Sequence, residues 1–208
     1  MPKHALTLLF LSWMPFAMAA EPAAPPEPAL ATSLAPRVSF ETTHGSFIVE
    51  VDTVRAPLTA ENFLRYVRDG AYDGTVFHRV IANFVVQGGG YDPGLKERTP
   101  RAAIANESGN GLSNRRGTLG LAREESPHSG SSQFYVNLVD NLGLDPLPSR
   151  WGYAVFGRVV EGMDVLDRIA HLRTETVEGF GSDVPVERPH IKRAWVVDGP
   201  PPPPTPAQ

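Results

Sequence analysis

Short apolar or alternating segments, the pattern of β-strands, dominate the central part of the chain. The first two, residues 38–41 and 46–52, flank Thr43-His44-Gly45 and predict a β-hairpin. Six further segments of the same character predict strands over residues 75–81, 84–87, 117–122, 133–138, 154–160 and 191–197.

Two segments have a helical period instead. Residues 57–69 begin at a proline, carry an apolar stripe that includes Phe63 and Val67, and stop before Gly70. A shorter helix is predicted over residues 163–172. Many strands with two helices predict a mainly β domain, and the pattern alone leaves a barrel and a sandwich equally open.

The N-terminus has the organisation of a secretory signal peptide over residues 1–19. A weakly positive start at Lys3 and His4 precedes an apolar stretch over 5–16 and the small-x-small triplet Ala17-Met18-Ala19, which predicts cleavage after Ala19. The stretch is short for a membrane span, so an uncleaved anchor is the alternative and export of the cleaved chain is the prediction.

Proline-rich segments flank the predicted domain. Residues 20–37 are rich in Ala and Pro and predict a semi-extended linker, which leaves residues 38–198 as one domain. Residues 199–208 are nearly all proline and predict a polyproline-type tail. Such a tail is either a solvated end or a ligand for a proline-recognition groove, including that of a second copy.

Composition and motifs narrow the kinds of site and partner that the sequence predicts. The formal net charge is −4 and no basic patch stands out, so no nucleic-acid partner is predicted. The chain has no cysteine, and its six histidines form no ligand-like pair. The three glycines at 88–90 lack the flanking residues of a phosphate loop, and no nucleophile elbow is present. The sequence therefore predicts no metal and no cofactor.

One strand carries an unusual charge. Arg79 lies among large apolar residues in segment 75–81, and burying a lone guanidinium is costly. Strand alternation by itself allows a simple explanation, in which Arg79 points outward into water.

Six sequence blocks stand out along the predicted domain: TAENF at 59–63, FHRVI at 77–81, FVVQGG at 84–89, GTLGLA at 117–122, SSQFYVN at 131–137 and YAVFGRVVEGMDV at 153–165. These blocks resemble the cyclophilins, a family of peptidyl-prolyl cis–trans isomerases. They occur in family order across residues 38–198, and the chain is most similar to the periplasmic cyclophilins of Gram-negative bacteria. The resemblance implies a closed eight-stranded antiparallel β-barrel capped by two α-helices, with its site on the outer face.

The resemblance also implies roles for individual residues. Arg79 matches the catalytic arginine, which donates a hydrogen bond to the prolyl nitrogen of the twisted amide. Phe77 and Phe134 are expected in the core, and His78 in a buried structural position. The substrate-binding positions implied are Phe84, Val85, Gln87, Ala122, Arg123, Gln133, Tyr135, Leu144 and Tyr153.

Three positions depart from the family pattern. Tyr135 replaces the usual Phe, so its hydroxyl needs a partner and could make the pocket more polar. Gly143 precedes Leu144 where many eukaryotic members have Trp, which removes an indole. Arg123 replaces an often uncharged residue and could favour acidic substrates, although an exposed arginine contributes little.

The implied function is a cofactor-independent isomerase that assists the folding of exported proteins in the periplasm. Its partners would be proline-containing unfolded or partly folded polypeptides, with no nucleic acid and no membrane span after signal cleavage, and the protein would be a monomer. The main alternative is a cyclophilin-like scaffold that grips such chains without turnover. A structural role of the proline-rich ends is a third.

Overall fold

The computed structural model describes Met1 and residues 35–197 of the chain. Within them, two α-helices and a 3-10 helix accompany ten strands. The strands are β1 (Arg37–Thr42), β2 (Gly45–Val51), β3 (Arg79–Ile81), β4 (Val85–Gly88), β5 (Thr118–Leu121), β6 (Phe134–Asn137), β7 (Val155–Glu161), β8 (Thr174–Val177), β9 (Gly181–Pro185) and β10 (Ile191–Val196). The helices are α1 (Pro57–Arg68), α2 (Met163–Ala170) and the 3-10 helix Leu142–Leu144.

Eight strands form one antiparallel sheet in the order β10-β1-β2-β7-β5-β6-β4-β3. The mainly β class, the eight antiparallel strands and the two helices are thus confirmed. The two ends of this order come close just before β3, where Val76 forms an isolated bridge with His190. There the backbone N–H of Ile191 donates to the carbonyl of Thr75 over 2.8 Å.

Strand alternation places an aromatic core on the inner face of the sheet. Phe40 and Phe47, which face each other across β1 and β2, stack with ring centroids 4.8 Å apart. Phe63 of α1 packs edge-on against Phe134 of β6 at 5.7 Å. Phe134 is 0% exposed, as is Phe77, which confirms the prediction that both are core residues.

The first helix is anchored from a distant loop. Ala56 precedes α1 and offers no side-chain cap, so the backbone N–H groups of Leu58 and Thr59 donate to the carboxylate of Glu107 over 3.1 and 2.8 Å. A carboxylate at a helix N-terminus also interacts favourably with the helix dipole. This contact fixes the long connection between β4 and β5 against α1.

Two elements differ from the sequence-based expectation. The predicted strand 75–81 is shortened to Arg79–Ile81, because the residues before it leave the ladder and bond instead to residues 189–191, around the isolated Val76–His190 bridge. The small sheet of β8 and β9 was not predicted. Its exposed positions Glu175 and Gly181 break the apolar alternation that identifies a strand.

The predicted signal peptide, most of the linker and the tail lie outside the described residues. Within residues 35–197, no helix combines the length and the apolar character needed to cross a bilayer.

Candidate active site

Nine of the ten predicted site residues line one surface pocket with about 210 Å³ of accessible space. The tenth, Gln133, lies in the adjoining cleft of about 500 Å³, which shares Gln87, Ala122 and Arg123 with the pocket. The pocket residues are Arg79, Phe84, Val85, Gln87, Ala122, Arg123, Tyr135, Leu144 and Tyr153. The structure therefore brings the predicted positions together from six separate segments of the chain.

A row of polar side chains runs along one side of the pocket. Arg79 of β3 lies directly opposite Gln87 of β4 in the ladder, and its Nη1 donates to Gln87 Oε1 over 3.3 Å. Gln87 Nε2 in turn donates to Gln133 Oε1 over 3.0 Å. Antiparallel pairing and strand alternation place these side chains on the outer face, away from the aromatic core.

Two further contacts orient the guanidinium of Arg79. Its Nε lies 3.8 Å from Oδ2 of Asp183 in β9, and its Cζ lies 5.9 Å from the ring centroid of Phe84. The Arg79 side chain is 38% exposed, so it is neither buried nor freely solvated. The interpretation that Arg79 merely points into water misses this set of directed contacts at the pocket rim.

Apolar side chains form the other walls. Val85 begins β4 and Phe84 lies in the turn before it, whereas Leu144 comes from the 3-10 helix and Tyr153 from the segment before β7. The ring of Tyr135 lies 6.0 Å from that of Tyr153 in an edge-on arrangement. Walls of this kind suit a small apolar ring, because burial of apolar surface is favourable and non-directional.

Gly120 makes room for Tyr135. The two residues face each other across β5 and β6, and a Cβ at position 120 would lie 2.1 Å from Cζ of the tyrosine ring. Gly90 has a similar role beside Gln133, where a Cβ would lie 2.5 Å from Cγ. The three glycines at 88–90 thus allow close side-chain packing, which agrees with the absence of a phosphate-loop motif.

The hydroxyl of Tyr135 finds its partner inside the protein. It donates to Oδ1 of Asn114 over 2.7 Å, and Tyr135 is only 4% exposed. Burial raises the pKa of this phenol well above its ordinary value, so the hydroxyl stays protonated. Since the hydroxyl is held by Asn114, it does not make the pocket more polar in the way the sequence suggested.

The guanidinium of Arg123 is used within the protein as well. It donates to the carbonyls of Glu124, Glu125, Trp151 and Gly152 over 2.8 to 3.2 Å. Its Cζ also lies 4.5 Å from the ring centroid of Tyr153. These contacts join the loop after β5 to the segment before β7, so Arg123 shapes the pocket and offers little to an acidic substrate.

His78 is buried beside Arg79, as predicted. It is 5% exposed, and its ring packs edge-on against Tyr91 with centroids 4.6 Å apart. Burial, reinforced by the charge of Arg79, lowers its pKa from 6.5 to about 4. The imidazole is therefore neutral at physiological pH, which supports a structural position for it.

Sequence reasoning missed three residues of the site, namely Asn114, Asp145 and Asp183. For each of them a solvated side chain is the default expectation, and the partner that shows otherwise lies in a distant segment: Tyr135 for Asn114, Asn114 for Asp145 and Arg79 for Asp183. Within residues 35–197 no cluster of acidic or imidazole side chains is arranged to hold a metal ion.

Comparison with known proteins agrees with this geometry. The family model "Cyclophilin type peptidyl-prolyl cis-trans isomerase/CLD" matches residues 37–196. The chain is 46% identical to peptidyl-prolyl cis-trans isomerase B of Escherichia coli over 153 residues, covering 72% of this chain and 93% of that protein. It is 41% identical to peptidyl-prolyl cis-trans isomerase A of Dickeya dadantii over 170 residues, covering 82% and 89%.

The fold has a counterpart among solved structures. A cyclophilin-type peptidyl-prolyl cis-trans isomerase of Cryptosporidium parvum, crystallised in the presence of the dipeptide Ala-Pro, superimposes with a TM-score of 0.68. The match covers 78% of this chain and 99% of that one at 24% identity, which supports the fold. The family match over residues 37–196 and the two bacterial relatives show that the chain belongs to the cyclophilin-type peptidyl-prolyl cis-trans isomerases.

Proposed function

We propose that this isomerase accelerates rotation of X-Pro bonds in exported polypeptides, with Arg79 as its catalytic residue. The observation that carries the proposal is the position of the Arg79 guanidinium at the rim of an apolar pocket, aligned by Gln87 and Asp183. A charged donor beside an apolar pocket fits a substrate whose reacting nitrogen belongs to an apolar ring.

Rotation about the amide bond requires loss of its resonance, with a barrier of about 18–20 kcal/mol. In the twisted state the prolyl nitrogen becomes pyramidal and gains a lone pair. Arg79 donates to that lone pair and so stabilises the twisted state more than either planar form. Arginine suits this task because it stays charged at any working pH and its donors are held in a rigid plane.

The remaining pocket residues hold one side of the peptide while the other turns. Phe84, Val85, Tyr135, Leu144 and Tyr153 bind the proline ring. Gln87, Gln133 and the main chain at Ala122-Arg123 bind the peptide backbone. Since no covalent bond breaks, the proposed reaction has no step that calls for a nucleophile, a metal or a cofactor.

The experiment that tests this proposal compares wild type, starting at Ala20, with Arg79→Ala on a short X-Pro peptide. We expect strong acceleration by wild type and a loss of about a hundredfold to a thousandfold in the variant, the usual effect of removing a preorganised donor. Arg158→Ala is the matched control, because Arg158 is an exposed strand arginine that pairs with Glu50 outside the pocket.

Folded wild type without acceleration would contradict catalysis by this chain and favour the scaffold alternative, to be tested by binding of unfolded exported chains. Equal activity of Arg79→Ala and wild type would contradict the role of Arg79 alone.

We also infer that the protein acts in the periplasm as a monomer after removal of residues 1–19. The signal-peptide pattern supports this location. Expression of the full chain in a Gram-negative host should yield a periplasmic form whose mass corresponds to a start at Ala20. A form retained in the membrane fraction with residues 1–19 attached would support the uncleaved anchor instead.

We infer further that the eight-stranded sheet closes into a barrel where residues 74–77 meet residues 189–191. The Val76–His190 bridge and the bond from the Ile191 N–H to the Thr75 carbonyl support closure, which would leave fewer exposed strand edges. Amide hydrogen exchange tests it: the Ile191 amide should be as protected as the amides inside the β1–β2 ladder, and rapid exchange would contradict closure.

A further inference from the structure

The walls of the pocket come from separate segments of the chain, so noncovalent contacts must set their positions relative to one another. Tyr135 lies on β6, Leu144 ends the 3-10 helix, and Tyr153 precedes β7. One buried side chain outside the pocket lining, Asn114 in the connection between β4 and β5, contacts all three of these segments.

Asn114 is 0% exposed and uses both ends of its side-chain amide. Its Oδ1 accepts from the Tyr135 hydroxyl over 2.7 Å and from Asn137 Nδ2 over 3.2 Å. Its Nδ2 donates to Asp145 Oδ1 over 2.8 Å and approaches the Tyr153 carbonyl oxygen at 3.4 Å. A primary amide has two donor hydrogens and two acceptor lone pairs, so this side chain is satisfied at every position.

Asp145 follows Leu144 directly and is held in place by the same contacts. Its Oδ1 also accepts from the backbone N–H of Asn114 over 2.7 Å, and its Oδ2 accepts from the hydroxyl of Ser113. Burial acts to raise the pKa of Asp145, but the hydrogen bonds from Ser113 and Asn114 outweigh it and lower the pKa. The carboxylate is therefore charged and fixes the end of the 3-10 helix that presents Leu144.

The network continues to a fourth wall of the pocket. Asn141 Nδ2 donates to Asn137 Oδ1 over 2.8 Å and to the Phe84 carbonyl over 2.9 Å. Four of the five apolar wall residues are thus bound, directly or through a neighbour in sequence, to one set of buried or half-buried side chains: Asn114, Asn137, Asn141 and Asp145. Buried polar networks in which every member is satisfied rigidify their surroundings.

We propose that Asn114 is a positioning residue for the isomerase reaction: through Asp145 and Tyr135 it sets the spacing of the walls that bind the proline ring. Asn114 does not touch the substrate and acts only through the residues it holds. The inference rests on the proposed function of the pocket and deepens it.

The test replaces Asn114 by aspartate, which has the same shape but carries an acceptor oxygen in place of the donor Nδ2. In Asn114→Asp, a carboxylate faces Asp145 where the amide donated to it, and the repulsion between the two carboxylates raises the pKa of one of them. One shared proton restores the lost donor, so the pair alternates between a repelled and a bonded state as the pH changes.

Other titratable or charged groups face this pair from several elements and add a pH dependence of their own in wild type as well as in the variant. Wild type is therefore measured at each pH as the reference. The neighbouring titratable or charged groups are Arg115, Arg123, Tyr135, Arg150 and Tyr153.

We expect KM of Asn114→Asp at about pH 8 to exceed that of wild type by about tenfold, because small misplacements of binding groups are costly. The turnover number should change less. At about pH 5 the shared proton should return KM to within about twofold of wild type at that pH. Asn110→Asp is the matched control, because Asn110 lies on the same connection but bonds to Val155 and Leu112, outside the pocket.

An Asn114→Asp protein with the wild-type KM at both pH values overturns the proposal, as does a defect that is independent of pH. Absence of activity in wild type itself would instead contradict the proposed function. If Asn114→Asp does not fold at about pH 8, the double variant Asn114→Asp with Asp145→Asn decides, since it restores one amide and one carboxylate. We expect it to recover most of the wild-type affinity, and failure of the folded double variant to do so overturns the proposal.

Discussion

The two arginines of the pocket, Arg79 and Arg123, differ in what their guanidinium groups contact. Among the described residues, Arg79 forms a side-chain hydrogen bond to Gln87 at 3.3 Å and a charge contact with Asp183 at 3.8 Å. Arg123 donates to four backbone carbonyls and covers the ring of Tyr153.

The difference shows how the same side chain can serve two purposes within one pocket. A guanidinium whose donors are taken by backbone carbonyls holds loops together. A guanidinium that is held by only two side-chain contacts is oriented and can still donate to a ligand, since arginine has five N–H groups. We therefore propose that Arg123 belongs to the framework of the pocket and that Arg79 takes part in the reaction.

Removal of Arg123 should lower the free energy of unfolding more than removal of Arg79. In Arg123→Ala the four carbonyls lose a charged donor, and we expect the free energy of unfolding to fall by about 2 to 3 kcal/mol, measured by urea denaturation. Catalytic efficiency should fall less than in Arg79→Ala, which should retain its stability.

Arg150→Ala is the control for this comparison, because Arg150 is exposed and its main hydrogen bond runs to the Gly143 carbonyl over 2.8 Å. A hundredfold loss of activity in Arg123→Ala without loss of stability would break the assignment of the two arginines.

The Arg79 side of the pocket should carry a pH dependence of stability through His78. Its folded pKa of about 4 lies below the value of 6.5 for an unperturbed imidazole, so the unfolded chain binds a proton that the folded chain rejects between these values. Stability is thus lost as the pH falls through this window, by about 2 kcal/mol between pH 7 and pH 5.

His78→Phe keeps a ring against Tyr91 and should lack this loss of stability between pH 7 and pH 5, measured by urea denaturation at both pH values. Parallel losses in wild type and His78→Phe would show that other groups cause the pH dependence.

The smallest effect should come from the contact between Arg79 and Asp183. Both side chains are about one-third exposed, and such ion pairs contribute little. We expect Asp183→Asn to lower kcat/KM by about twofold to fivefold through poorer orientation of Arg79.

Because salt screens partly exposed charges, added NaCl should lower the activity of wild type towards that of Asp183→Asn. If the activity of Asp183→Asn responds to salt as much as that of wild type, Asp183 does not orient Arg79.

The strand pattern by itself determined most of the main sheet and the core. In β1, for example, the buried Phe40 lies between Ser39 and Glu41, and a strand of this kind buries its apolar face in only one register. Sequence blocks around Arg79 and Gln133 determined the family. The pattern did not predict the small sheet of β8 and β9, because its exposed strands carry little apolar alternation.

Only the tertiary structure decided how the site is held. Asp183 approaches Arg79 from 104 positions further along the chain, and Asn114 meets Tyr135 across 21 positions. A hydrogen bond between distant segments leaves no period and no spacing in the sequence, because its geometry depends on how the strands between them are paired. The sequence therefore named the residues of the pocket, whereas the fold determined which of them bind one another and which are left to meet a substrate.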